Sequence, residues 1–97
     1  MLKKTQAKNG ASTKVTFELP LVEAASVHLV GEFNEWSKTD HPLTKRKDGR
    51  FSITVALSSG RAYRYRYLVD GARWENDNQA DAYVPNGFGT EDSVVQV

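Results

Sequence analysis

From Thr13 onward apolar and polar residues alternate with a period of two. Val15, Phe17 and Leu19 are interleaved with Lys14, Thr16 and Glu18, which predicts a strand with one buried face, ending at Pro20. Val27 and Leu29 begin a second strand that runs up to Gly31. The clearest strand is Phe51, Ile53, Val55 and Leu57 set against Ser52, Thr54 and Ala56, opened by Asp48-Gly49 and closed by Ser58-Ser59-Gly60. Tyr63, Tyr65, Tyr67 and Val69 then alternate with Arg64, Arg66 and Leu68, and Asp70-Gly71 predicts a hairpin turn before Arg73-Trp74-Glu75. A last strand is expected at Ser93 to Val97, and Asn76 to Gly89 reads as loop from its Asn, Asp, Pro and Gly content. No segment carries a helical stripe, so the expected fold is an all-β sandwich.

The chain has 97 residues, enough for one domain with a single core and too few for two. The opening residues 1–12 are basic and lack an apolar stretch, so they read as a flexible arm, with the sandwich domain over 13–97. Nothing approaches the about 18 apolar residues of a membrane-spanning helix. With no cysteine, disulfides and thiolate metal sites are excluded; this suits a reducing cytoplasm. A net charge of +1 argues against a general nucleic-acid or membrane binder.

Two tryptophans stand out against this background. Trp36 and Trp74 lie just past strand-like runs, in the polar turn contexts Gly31-Glu32-Phe33-Asn34-Glu35-Trp36-Ser37 and Val69-Asp70-Gly71-Ala72-Arg73-Trp74. An indole in such a place either plugs the end of the core or offers a flat apolar face to a ligand. Arg66 is expected on the strand face opposite Tyr65 and Tyr67, with its guanidinium at the surface near Trp74; the alternative is a solvated arginine paired with a carboxylate.

The run Val27 to Ser37, followed by Pro42-Leu43-Thr44, Gly49-Arg50-Phe51, Tyr65 to Gly71, Trp74 and the closing Val94-Val95-Gln96-Val97, resembles carbohydrate-binding module family 48. This is the glycogen-binding domain of AMP-activated protein kinase β subunits, related to the N-terminal domains of isoamylases and branching enzymes. The resemblance covers about Lys14 to Val97. It implies an immunoglobulin-like sandwich that binds α-1,4-linked glucan such as glycogen, starch or maltooligosaccharide, without metal or cofactor, and that keeps an associated catalytic domain or kinase-type subunit near the polymer.

In the kinase-type members the positions matching Trp36 and Trp74 are stacking platforms. An aromatic ring covers the axial C–H face of a pyranose and leaves the hydroxyls at its rim free. The family places a lysine where Arg66 stands; arginine offers more donors in a fixed plane. Phe88-Gly89-Thr90-Glu91-Asp92 occupies the place of Leu-Gly-Thr, one further residue, then Asn. Phe88 is expected to bracket a sugar edge and Thr90 to exchange hydrogen bonds, whereas Asp92 accepts only, where the family's amide also donates. Turn formation is the competing role for Thr90 and Asp92.

Catalysis has little support in the sequence. His28 and His41 lack companions at metal-ligand or triad spacing, and a glycosidase pair drawn from Asp70, Asp77 and Asp81 needs a deep cleft, so these aspartates read as turn and solubility residues. Two other classes remain. One is a docking domain of a glycoside hydrolase family 13 enzyme or a kinase-type complex with a weak sugar site. The other is a single-stranded nucleic-acid binder using the interleaved Tyr63-Arg64-Tyr65-Arg66-Tyr67; balanced charge and the full-length resemblance count against it.

Overall fold

A computed structural model describes residues 2–6, 10–19, 24–87 and 89–97. Among them, nine strands form two antiparallel sheets. In the first sheet, β1 (Leu2–Gln6), β2 (Ser12–Leu19), β5 (Phe51–Ser58) and β4 (Thr44–Lys45) lie side by side in that order. The second runs β3 (Val27–Gly31), β6 (Ala62–Val69), β9 (Glu91–Gln96) and β8 (Ala82–Pro85), and β7 (Arg73–Glu75) also pairs with β6. This is the all-β sandwich that the alternation predicts. Val15, Phe17 and Leu19 face Tyr63, Tyr65, Tyr67, Val69, Leu29 and Val95 across the core. Phe17 meets Tyr65 edge-on with ring centroids 5.0 Å apart.

Two expectations change. Instead of belonging wholly to a flexible arm, the opening residues include β1, which pairs with β2 from Leu2↔Phe17 to Gln6↔Thr13. Only Leu2 of this edge strand is packed against the core, so its sequence shows no alternation to read. Lys4 reaches across to an ion pair with Asp81, joining the first sheet to the loop that enters β8. Likewise the stretch read as loop from Asn76 to Gly89 contains β8, paired with β9 from Ala82↔Val94 to Pro85↔Glu91. Its four residues form an edge strand that ends in proline, which a central strand would not tolerate.

One buried polar group organises the core near β9. Asp77, 1% exposed, accepts hydrogen bonds through Oδ2 from the hydroxyls of Tyr65 at 2.9 Å and Tyr67 at 3.2 Å, and its own N–H donates to Ser93 Oγ at 2.9 Å. Asp77 is therefore a core residue and not the solubility residue that its polar surroundings in the sequence suggest. Asp70 keeps the expected turn role: it and Gly71 are both left-handed, with φ of 53° and 69°. Its Oδ1 accepts from the N–H groups of Ala25 and Ser26.

Burial, and secondarily the neighbouring Tyr67 and Asp77, pushes the Tyr65 phenol far above its ordinary value, and burial beside Asp77 does the same to Tyr67. In the unfolded chain both would ionise near pH 10. Their contribution to stability is thus complete below about pH 10 and is lost as pH rises beyond it, because only the unfolded state then releases the protons. We expect an alkaline absorbance titration to show Tyr65 and Tyr67 ionising only together with unfolding followed by circular dichroism. Ionisation of all four tyrosines before any loss of structure would contradict this account.

Candidate functional site

The site is built around Arg66. Along one edge of β6 two short partners follow each other: β9 pairs with residues 62 to 65 and β7 with residues 67 to 69. Arg66 falls at the junction between them, and on its other side it pairs with Val30 of β3. Three segments therefore converge on this residue: the turn after β3, strand β7 and the β8–β9 hairpin. Together Trp36, Arg66, Trp74, Asn86, Thr90 and Asp92 line a cleft of about 650 Å³.

Trp36 is delivered by the turn after β3. Gly31 closes that strand where an added Cβ would lie 2.6 Å from the Arg64 carbonyl oxygen and 2.9 Å from the Phe33 ring, so only glycine fits. A 3-10 turn follows over Glu32–Asn34. Its Glu32 carboxylate accepts from the Arg64 N–H at 2.6 Å, and Phe33 turns inward to within 5.8 Å of Phe17 and 6.0 Å of Tyr63. Glu35 and Trp36 are then both left-handed, with φ of 56° and 59°. The Trp36 N–H donates to the Gly31 carbonyl at 2.8 Å, and the indole is left 40% exposed.

Trp74 comes from the β6–β7 hairpin set by Asp70 and Gly71, where it pairs with Leu68 and is 39% exposed. The Arg66 guanidinium lies 5.5 Å from the centre of the indole and the Lys38 ammonium 5.9 Å from it, two cation–π contacts that restrain the ring. The expected placement of Arg66, opposite Tyr65 and Tyr67 and next to Trp74, is what the register produces. Its Nε is buried and has no hydrogen-bond partner among the described residues. Such a donor carries an unmet desolvation cost until something accepts from it.

The third wall is the β8–β9 hairpin. The Asn86 N–H donates to the Thr90 carbonyl at 3.0 Å, and Asn86 Nδ2 donates to Thr90 Oγ1 at 2.8 Å and to Asp92 Oδ1 at 3.1 Å. Asp92 is 6% exposed and its Oδ2 lies 4.0 Å from Arg64 Nη1. Thr90 is exposed at the rim. Phe88, expected to bracket a sugar edge, lies outside the described residues. Asn86 and Lys38 join the site without having been singled out in the sequence. For Asn86 a local signal existed, since Pro85-Asn86-Gly87 is a turn sequence four residues ahead of Thr90; for Lys38 none did.

The same geometry removes the surface that a nucleic-acid reading needs. Tyr63, Tyr65 and Tyr67 are buried in the core and cannot stack on bases, while Arg73 pairs with Glu75 at 3.0 Å.

Comparison with known proteins places this cleft in context. Residues 12–97 match the family described as the glycogen recognition site of AMP-activated protein kinase. The chain is 38% identical over 71 residues to the 5'-AMP-activated protein kinase subunit beta-1 of Sus scrofa, covering 73% of this chain and 53% of that subunit. It is also similar to the 1,4-alpha-glucan-branching enzyme of Dictyostelium discoideum, 49% identical over 39 residues, which is 40% of this chain and 6% of the enzyme. The 1,4-alpha-glucan branching enzyme of Aquifex aeolicus is 36% identical over 52 residues, 53% of this chain and 8% of its own length. The chain thus spans about half of the kinase subunit and a small part of either enzyme. With nearly its whole length matched by the family model, the chain belongs to the glycogen-recognition modules, the carbohydrate-binding family found in kinase β subunits and branching enzymes.

Proposed function

We propose that the cleft around Arg66 binds an α-1,4-linked glucan, with Trp36 and Trp74 stacking on glucose units and Arg66 donating to their hydroxyls. One observation carries the reading: two half-exposed indoles and an arginine with an unpartnered buried Nε line the same cleft. A glucan supplies what both require, an apolar C–H face for each ring and hydroxyl oxygens for the donor. Thr90 adds a hydroxyl at the rim. Asp92, with one oxygen held by Asn86, orders the hairpin and accepts from a sugar hydroxyl through what remains of its acceptor capacity. Among the described residues the site assembles no catalytic pair, and the module's role is to hold an associated activity at glycogen or a similar polymer in the cytoplasm. That activity is a catalytic domain or a kinase-type assembly, as the named relatives suggest.

The test is a titration with maltoheptaose followed by tryptophan fluorescence at low and high salt. A neutral sugar displaces no counterions, so the affinity should stay constant, in the roughly micromolar to millimolar range of a shallow site. Arg66→Ala should weaken binding about tenfold, the low end for a charged hydrogen bond at a partly exposed site, and Arg66→Lys should largely retain it. An absent response to any glucan, or an Arg66→Ala variant that titrates like the parent, would refute the assignment of this cleft.

A further inference from the structure

Trp36 is held in an unfavourable backbone conformation and is not buried enough for packing to keep it there. Two successive left-handed residues without glycine, Glu35 and Trp36, are strained and persist only where the surroundings over-determine them. Beside the backbone bond from the Trp36 N–H to the Gly31 carbonyl, the side chain of Asn34 holds the surroundings in place. Its Oδ1 accepts from the Gly31 N–H at 3.1 Å, and its Nδ2 donates both to the Leu29 carbonyl at 3.0 Å and to His41 Nδ1 at 2.8 Å. The amide orientation is fixed, because one backbone partner is a pure donor and the other a pure acceptor. With both Nδ2 hydrogens so directed, His41 Nδ1 must be an unprotonated acceptor and the ring proton must sit on Nε2.

His41 is itself anchored. Its carbonyl accepts from the Leu29 N–H at 2.9 Å, which ties the segment after the turn to the edge of β3. Its ring meets Phe33 edge-on at 6.1 Å. Asn34 therefore clasps three pieces of chain, the end of β3, the start of the 3-10 turn and the returning segment at His41. The residues between Asn34 and His41 include Trp36.

We infer that Asn34, locked by His41, is the positioning residue for Trp36: it touches no ligand itself, and it holds the indole at the angle that faces the cleft. In its absence Glu35 and Trp36 relax out of the left-handed region and the ring swings away from Trp74. This inference rests on the glucan reading for its consequence, and on the hydrogen-bond geometry for its cause.

The experiment separates the two. The indole N–H resonances of the sugar-free protein, assigned with Trp36→Phe and Trp74→Phe, report the orientation of each ring. Asn34→Ala should shift and broaden the Trp36 resonance, leave that of Trp74 in place, and weaken maltoheptaose binding roughly tenfold, part of what outright loss of that stacking platform would cost. His41→Phe keeps the ring packing on Phe33 and both backbone bonds of Asn34 while removing the Nδ1 acceptor. It should move the Trp36 resonance in the same direction with a smaller loss of affinity, and it serves as the test if Asn34→Ala does not fold. An unchanged Trp36 resonance in either folded variant overturns the proposal, as does an equal perturbation of both indoles, which would mark a general structural role. If the parent binds no glucan while Asn34→Ala moves Trp36 alone, the positioning role stands and the sugar reading fails.

Discussion

Asp77→Ala should destabilise the protein more than any substitution in the cleft. The change leaves the buried Tyr65 hydroxyl without its acceptor and the Tyr67 hydroxyl with only a long 3.5 Å contact to the Glu18 carbonyl, and empties the space of a residue that is 1% exposed. An unsatisfied buried polar group costs about 1–3 kcal/mol, so one such hydroxyl, a second left poorly satisfied and the vacated volume together give a loss of roughly 3–5 kcal/mol. That is a large part of the about 5–15 kcal/mol by which a domain of this kind is stable. Urea unfolding followed by circular dichroism measures it directly. Tyr65→Phe with Tyr67→Phe in the Asp77→Ala background should recover part of the loss, because a site apolar on both sides leaves no orphaned hydroxyl. A midpoint within error of the parent would mean that the carboxylate contributes nothing to the fold.

The opposite pattern is expected at the indoles. Trp74→Ala should leave the urea midpoint nearly unchanged, since the ring is 39% exposed, and should remove most glucan binding. If a pyranose covers on the order of 100 Å² of apolar surface shared with the ring, then at about 25 cal/mol per Å² the loss is about 2.5 kcal/mol, or nearly a hundredfold in affinity. Trp36→Ala should behave similarly, and the double variant should no longer be retained on glycogen. Calorimetric titration with maltoheptaose, together with retention on glycogen resin, gives both numbers. A variant that unfolds well before the parent would identify that indole as structural and remove it from the site.

These two predictions draw on different kinds of sequence information. The alternation of Phe17, Tyr65 and Tyr67 with polar neighbours is a local pattern, and it predicted which faces meet in the core. It could not reveal that an aspartate from the Asn- and Asp-rich stretch after β7 is drawn inward, because the tyrosine hydroxyls that accommodate Asp77 are 10 and 12 residues away in sequence. For the same reason β8 was hidden: its pairing with β9 carries little apolar alternation of its own, and Tyr83 remains 42% exposed. Strand β1 was invisible because four of its five residues point to solvent or lie at an open edge.

By itself the sequence determined the sandwich, the hairpin at Asp70-Gly71 and the outward placement of Arg66, while its resemblance to the glycogen-binding modules supplied the residues expected at a site. The first three follow from patterns of period two and from residues fixed within a turn, which short-range sterics and burial dictate. The tertiary structure alone decided that β7 and β9 follow one another along β6 and open a cleft at Arg66. It also decided that Asn86 fastens Thr90 to Asp92 and that Lys38 comes to rest near Trp74. Those arrangements depend on which strand edge each segment finds, a choice made by the long-range fit of the two sheets and not written in any one stretch of the chain.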